Sequence, residues 1–163
     1  MSHDRIENQR VLPASRERVW QAIGEAPRFG YWFGVDFDGP FMEGARITGR
    51  ITPTQVDADV ARLQQPHKGM PFEFVVERIE PMQRIVFRWH PFAIDRAVDY
   101  SKETMTTIEF ALGEHVDGTR LTISESGFDQ IPAHRRAQAY AANEGGWTHQ
   151  LELVAKYLAL KTD

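Results

Sequence analysis

Cysteine is missing from all 163 residues. Its absence excludes disulfides, thiolate metal sites, cysteine-ligated iron–sulfur clusters and a cysteine nucleophile. A cytoplasmic protein is the expectation that follows. No run of lysine and arginine exists and the formal net charge is −4, so nucleic acid has no electrostatic footprint here. No apolar stretch approaches the ~20 residues that span a bilayer. The opening Met1–Arg10 has no apolar core of a secretory signal. There is no Gly-rich dinucleotide fingerprint and no Gly-x-Ser-x-Gly elbow. The six histidines are scattered without metal-ligand spacing, and Asp36/Asp38 and Asp57/Asp59 lack the further ligands of a calcium loop. Neither a cofactor nor a metal is therefore expected.

What is present is an ordinary globular composition, 42% apolar and 26% charged. The length predicts one domain over residues 1–163 that buries roughly 70% of its unfolded surface. Ile6–Leu12 reads as a strand ended by Pro13. Ser15 is a good N-cap for a helix over Arg16–Ile23, with Val19, Trp20 and Ile23 on one side. Gly24 and Pro27 break that helix, and Phe29–Phe33 follows as a second short helix or turn. Strands are expected at Asp36–Phe41 and Ala45–Thr52, the latter with clean alternation. Val56, Val60 and Leu63 place one short helix in the long connection Pro53–Gly69. Phe72–Glu80, Arg84–His90, Thr104–Gly113 and Thr119–Ser126 complete the strands, the last two joined through Asp117-Gly118. Segregated strands and helices predict an α+β fold, with a twisted antiparallel sheet and the closing helix across its concave face.

That closing helix carries Asn143-Glu-Gly-Gly-Trp147. Taking 100° per residue, Leu151, Val154 and Leu158 fall within ~40° of Trp147. Leu153, Tyr157 and Leu160 form a second stripe, with Gln150 between the two. Asn143, and Tyr140 if the helix continues upstream, join the same broad face. Two readings of these polar groups stay open: they bond locally to the sheet, or they orient a ligand in a pocket. Gly145-Gly146 inside a helix costs roughly 2 kcal/mol against two alanines. A kink or a close backbone approach is the expected reason.

In order and spacing, several motifs resemble one superfamily. They are Val11–Ile23, Phe41-Met-Glu-Gly44, Val76–Pro81, Ile85–Trp89, Thr119–Ile123, Glu125-Ser-Gly-Phe128, and Gly146-Trp147 leading into Leu151–Leu158. The chain resembles the START-like, or Bet v 1-like, helix-grip (SRPBCC) proteins. Within them it is most similar to bacterial relatives of the C-terminal domain of the activator of heat-shock-protein-90 ATPase. The resemblance implies a curved antiparallel sheet of about six to seven strands gripping a long C-terminal helix, with two short helices near the N-terminus and a cavity between. It also implies an apolar or amphipathic small-molecule partner, lipid-like or polyketide-like. Its alternatives are a co-chaperone-like interaction with a chaperone, or a cavity enzyme of cyclase or hydrolase type. No catalytic motif is shared across that superfamily.

The residues expected to bind a ligand are Trp32, Phe33, Phe87, Trp89, Tyr140, Asn143, Trp147, Gln150 and Leu151. Trp32 and Phe33 are placed at the rim, Phe87, Trp89 and Trp147 in the walls. Glu125 shares alternation parity with Leu121 and Ile123. It is the single candidate for acid–base chemistry if it points inward. If the strand instead ends at Ser124, Glu125 is wet or paired with an arginine. His90 is read as exposed or at a loop mouth.

Overall fold

The computed structural model describes residues 4–93, 95 and 97–160. Its strands are β1 (Arg5–Leu12), β2 (Val35–Phe37), β3 (Arg46–Ile51), β4 (Pro71–Glu80), β5 (Arg84–Trp89), β6 (Thr106–His115) and β7 (Gly118–Ser126). Its helices are α1 (Arg16–Gly24), α2 (Ala26–Phe33), α3 (Ala58–Gln64) and α4 (Ala133–Leu160), with short 3-10 turns at Gln65–His67 and Phe128–Gln130. The seven strands form one sheet in the order β1-β7-β6-β5-β4-β3-β2, antiparallel at every step. β1 and β2 lie at opposite edges, so α1 and α2 carry the chain across the whole sheet. A register shift between Val76 and Arg78 bends β4 against β5, and bulges of this kind increase strand curvature. The α+β helix-grip expectation holds.

Local chemistry sets the helix starts. Ser15 accepts the Arg18 amide and caps α1, and Asp57 accepts the amides of Asp59 and Val60 to cap α3. Pro27 lies in the first turn of α2, where its missing N–H has no helical partner to lose. It therefore opens α2 rather than merely ending α1. Gly34 closes α2 in the left-handed region at φ 100°, with the Gln64 amide packed where a Cβ would stand. The β6–β7 turn is tighter than expected, leaving only Val116-Asp117 between the strands. Gly118 opens β7 at φ 142°, and a Cβ there would collide with the Leu12 carbonyl.

Two expectations are corrected. The strand expected at Asp36–Phe41 is only Val35–Phe37, since Gly39-Pro40 turns the chain away and Pro40 has no N–H to give a ladder. Leu63 is 75% exposed, so α3 packs through Val60, with Val56 just before it, and not through Leu63.

Phe29 centres the core, with Trp32, Phe41, Phe74, Phe87 and Phe110 around it. Phe74 and Phe87 stack across β4 and β5 at 4.4 Å between ring centroids. Each such burial contributes about 1.5–3 kcal/mol.

α4 spans 28 residues, about 42 Å at 1.5 Å per residue. Trp147, Leu151, Leu153, Val154, Tyr157 and Leu158 are buried along it. Leu160, at its last position, is exposed and leaves the second stripe unfilled at its end. Gly145 and Gly146 do not meet the expected close approach: a Cβ at either position would have nothing within 4 Å. Gly145 is also exposed. We therefore expect Gly145→Ala to raise the unfolding free energy by about 1 kcal/mol, measured by urea denaturation. An unchanged or lowered stability would mean that the helix needs glycine's backbone freedom there.

Candidate functional site

Glu125 is the fourth inward residue of β7 after Thr119, Leu121 and Ile123. Its neighbours in register are Ile6 on β1 and Ile108 on β6, and it is fully buried. A carboxylate among isoleucines needs compensation, because a buried polar group without hydrogen bonds is strongly destabilising. Four donors supply it. Trp89 Nε1 donates to Oε2 at 2.7 Å and Thr106 Oγ1 at 2.5 Å. Asn143 Nδ2 donates to Oε1 at 2.9 Å and Trp147 Nε1 at 2.8 Å. No cation joins them among the described residues. Glu125 thus ties β5, β6 and β7 to α4, and each oxygen already accepts two hydrogen bonds.

A cavity of about 650 Å³ opens beside this network. It lies at the sheet end formed by β2, β3 and β4, under the polar stretch of α4, and it is partly open to solvent. Phe33, Phe72, Trp89 and Phe92 supply aromatic walls and Met70 and Met105 flexible ones. Asn143 and Gln150, two helical turns apart, supply polar contacts from α4. The connection after β3 contributes Gln64 and His67, and the connection after β5 contributes His90, Phe92 and Ala93.

Both connections are tied down. Gln64 accepts the Thr54 amide and donates to the Phe33 carbonyl. Arg135 on α4 holds the other. It donates to the carbonyls of Pro91 and Phe92 and pairs with Glu103 at 2.7 Å, both side chains nearly buried at 11% and 13% exposure. Its guanidinium also lies 4.6 Å from the Tyr100 ring centroid. Phe92 sits in the left-handed region at φ 52°, a strained backbone for a bulky residue. The Arg135 bond to its carbonyl fixes it there, facing the cavity.

His90 and Gln150 carry the cavity's unusual polar atoms. His90 Nδ1 and Gln150 Oε1 are buried with no partner among the described residues. Burial pushes the His90 imidazole below its ordinary 6.5, against the opposing pull of Glu103 and Glu73. A histidine held below its unfolded value binds its proton later than the unfolded chain does. Its contribution is therefore intact above about pH 6.5 and is lost as pH falls below that value. We expect His90→Gln to shrink the drop in urea midpoint between about pH 7.5 and about pH 5.5. An identical drop in both proteins would show that His90 does not contribute.

Of the residues read from the sequence as ligand-binding, Phe33, Trp89, Asn143 and Gln150 line the cavity. The other five lie elsewhere. Trp32 is fully buried and gives its indole N–H to the Ala22 carbonyl. Phe87 is in the aromatic core, and Leu151 is buried under α4. Tyr140 packs on Phe128 and donates to the Arg5 carbonyl. Trp147 stands behind the wall, 5.7 Å from the Trp89 ring and bonded to Glu125. Glu125 does not line the cavity either, and it is neither wet nor paired with an arginine. Phe72, Met70, Phe92 and Met105 escaped sequence reading. For Phe72 a signal existed, since it alternates in step with Phe74 and Val76.

No three side chains of His, Asp or Glu gather as a metal-binding set among the described residues. No helix among them is long and apolar enough to cross a membrane. A curved sheet gripping a long helix, with a ligand-sized cavity at one end, defines a helix-grip protein. The chain belongs to the family of Activator of Hsp90 ATPase homolog 1-like proteins, whose model matches residues 13–159. No curated protein matches the sequence. Among solved structures, protein MLL2253 from Mesorhizobium loti is 22% identical, with 98% of this chain aligned to 99% of that one at a TM-score of 0.69. DynU16, a protein in the dynemicin biosynthetic locus, is 22% identical over 96% of this chain, with a TM-score of 0.66. The chain spans only 47% of its length. CalU16 from Micromonospora echinospora is 20% identical over 94% of this chain and 74% of its own, with a TM-score of 0.60. These likenesses carry the fold.

Proposed function

We propose that the protein is a cytoplasmic binder of an apolar or amphipathic small molecule, lipid-like or polyketide-like. The observation that carries this reading is the cavity of about 650 Å³ between sheet and helix, walled by aromatic rings. That size falls in the range of small-molecule sites, which are mostly apolar with a few placed polar groups. The presence of DynU16 in a biosynthetic locus is in keeping with such a ligand. A chaperone partner has less support, because the exposed large apolar side chains among the described residues, Met42, Leu63, Val98, Val116 and Leu160, belong to separate segments and docking surfaces are usually contiguous. An acid–base enzyme has less support too, since Glu125 has its oxygens occupied and stands outside the cavity. Native mass spectrometry of the protein purified from its own host tests the reading. A co-purified small molecule is the expected result. A bare chain, together with failure to bind any apolar ligand in titration, would overturn it.

A further inference from the structure

The small-molecule reading can be taken one step further, to ligand class, and this step rests on that reading. Buried polar atoms without a hydrogen bond are few in folded proteins and call for an explanation. Among the side chains of the described residues there are two, His90 Nδ1 and Gln150 Oε1, and both line the same cavity. The nearby donors Asn143 Nδ2 and Trp89 Nε1 are already committed to Glu125. Gln150 Oε1 can only accept, so it requires a donor from the ligand. A neutral imidazole takes either a donor or an acceptor at Nδ1. A hydroxyl does both.

Charge narrows the class. Among the described lining residues Arg50 is the one guanidinium, and it sits on the exposed face of β3. Asp38 and Glu73 share the lining with it, so the charged side chains offer no net attraction to an anion. Burial also disfavours the charged form of His90. A carboxylate carried into the aromatic end would lose its hydration without a counter-ion, which is costly. Flat walls from Phe33, Phe72, Trp89 and Phe92 suit a fused-ring body.

We propose that the cavity selects an uncharged polycyclic aromatic molecule bearing a hydroxyl group, and that this hydroxyl bonds to Gln150 and His90. An ordered water on the two atoms is the competing account, and it predicts no preference among ligands of one ring system.

The test is a calorimetric titration of the whole protein at neutral pH with a phenanthrol, its methyl ether and the matching phenanthrene carboxylate. The phenanthrol should bind at least about tenfold more tightly than either of the others, the usual scale for leaving a buried polar atom unpaired. Gln150→Met should narrow the gap between alcohol and ether. His90→Phe, read the same way, covers the case in which the first variant fails to fold. Equal affinity for alcohol and ether, or tighter binding of the carboxylate, would overturn this inference and leave the small-molecule reading standing. Binding of none of the three would count against both.

Discussion

Glu125→Gln is expected to lower the unfolding free energy by about 2–4 kcal/mol. The amide keeps the shape of the side chain and one acceptor oxygen. Its NH₂ group must then face two donors, either Trp89 and Thr106 or Asn143 and Trp147. Thr106 can turn its hydroxyl to accept, and Asn143 is only partly buried. The indole N–H groups cannot turn, so at least one is left opposed in a nearly dry site. Thr106→Val removes a single donor and is expected to lose about 1 kcal/mol. Urea denaturation followed by tryptophan fluorescence measures both. A carboxylate kept for chemistry behaves in the opposite way, since its removal often leaves stability unchanged or raised. A stabilised Glu125→Gln would therefore return Glu125 to the list of reacting groups.

Arg135→Ala should lower stability by about 3–5 kcal/mol, the scale for stripping one partner from a buried ion pair. Glu103 would be left nearly buried without its cation. The carbonyls of Pro91 and Phe92 would lose their donor, and Tyr100 would lose its stacked guanidinium. Relief of the Phe92 strain offsets part of the loss, because such a backbone stores about 1–3 kcal/mol. The same relief should loosen the segment that carries His90, Phe92 and Ala93. Faster proteolysis between residues 91 and 105, with cleavage elsewhere unchanged, is the expected signature. If the segment stays as resistant as in the unaltered protein, Arg135 does not hold it. Arg135→Lys separates charge from geometry. It keeps the cation but cannot serve two carbonyls and a carboxylate with one planar fork, so most of the effect should remain.

Much of this architecture is legible in the residues. The stripes of α4 follow from a 3.6-residue period, and Trp147, Leu151, Val154 and Leu158 are buried where that period puts them. Ser15 announces a helix start through its side-chain oxygen, whereas the matching cap at Asp57 reads in the sequence only as part of a loop carboxylate pair. Alternation along β7 points Glu125 inward. What alternation does not carry is the identity of its partners, which come from two other strands and a helix distant in sequence. The cavity was less legible for a related reason. Trp32 and Phe33 are adjacent on one helix, ~100° apart, and only the packing of α1 decides that Trp32 faces the core and Phe33 the cavity. Phe92 and Met105 sit in a connection with no period at all. The position of Phe92 depends on Arg135, more than forty residues away.

The central claim is that the cavity itself is the binding site. Ala93 lines the cavity and is small, and it is not among the Glu125 partners, so Ala93→Trp should take up part of the binding space and leave that network in place. Calorimetric titration of both proteins with a phenanthrol is the direct measurement. Binding should weaken at least about tenfold in Ala93→Trp, a loss of about 1.4 kcal/mol or more, while the urea midpoint stays unchanged. Equal affinity in the filled and unfilled proteins would contradict the account.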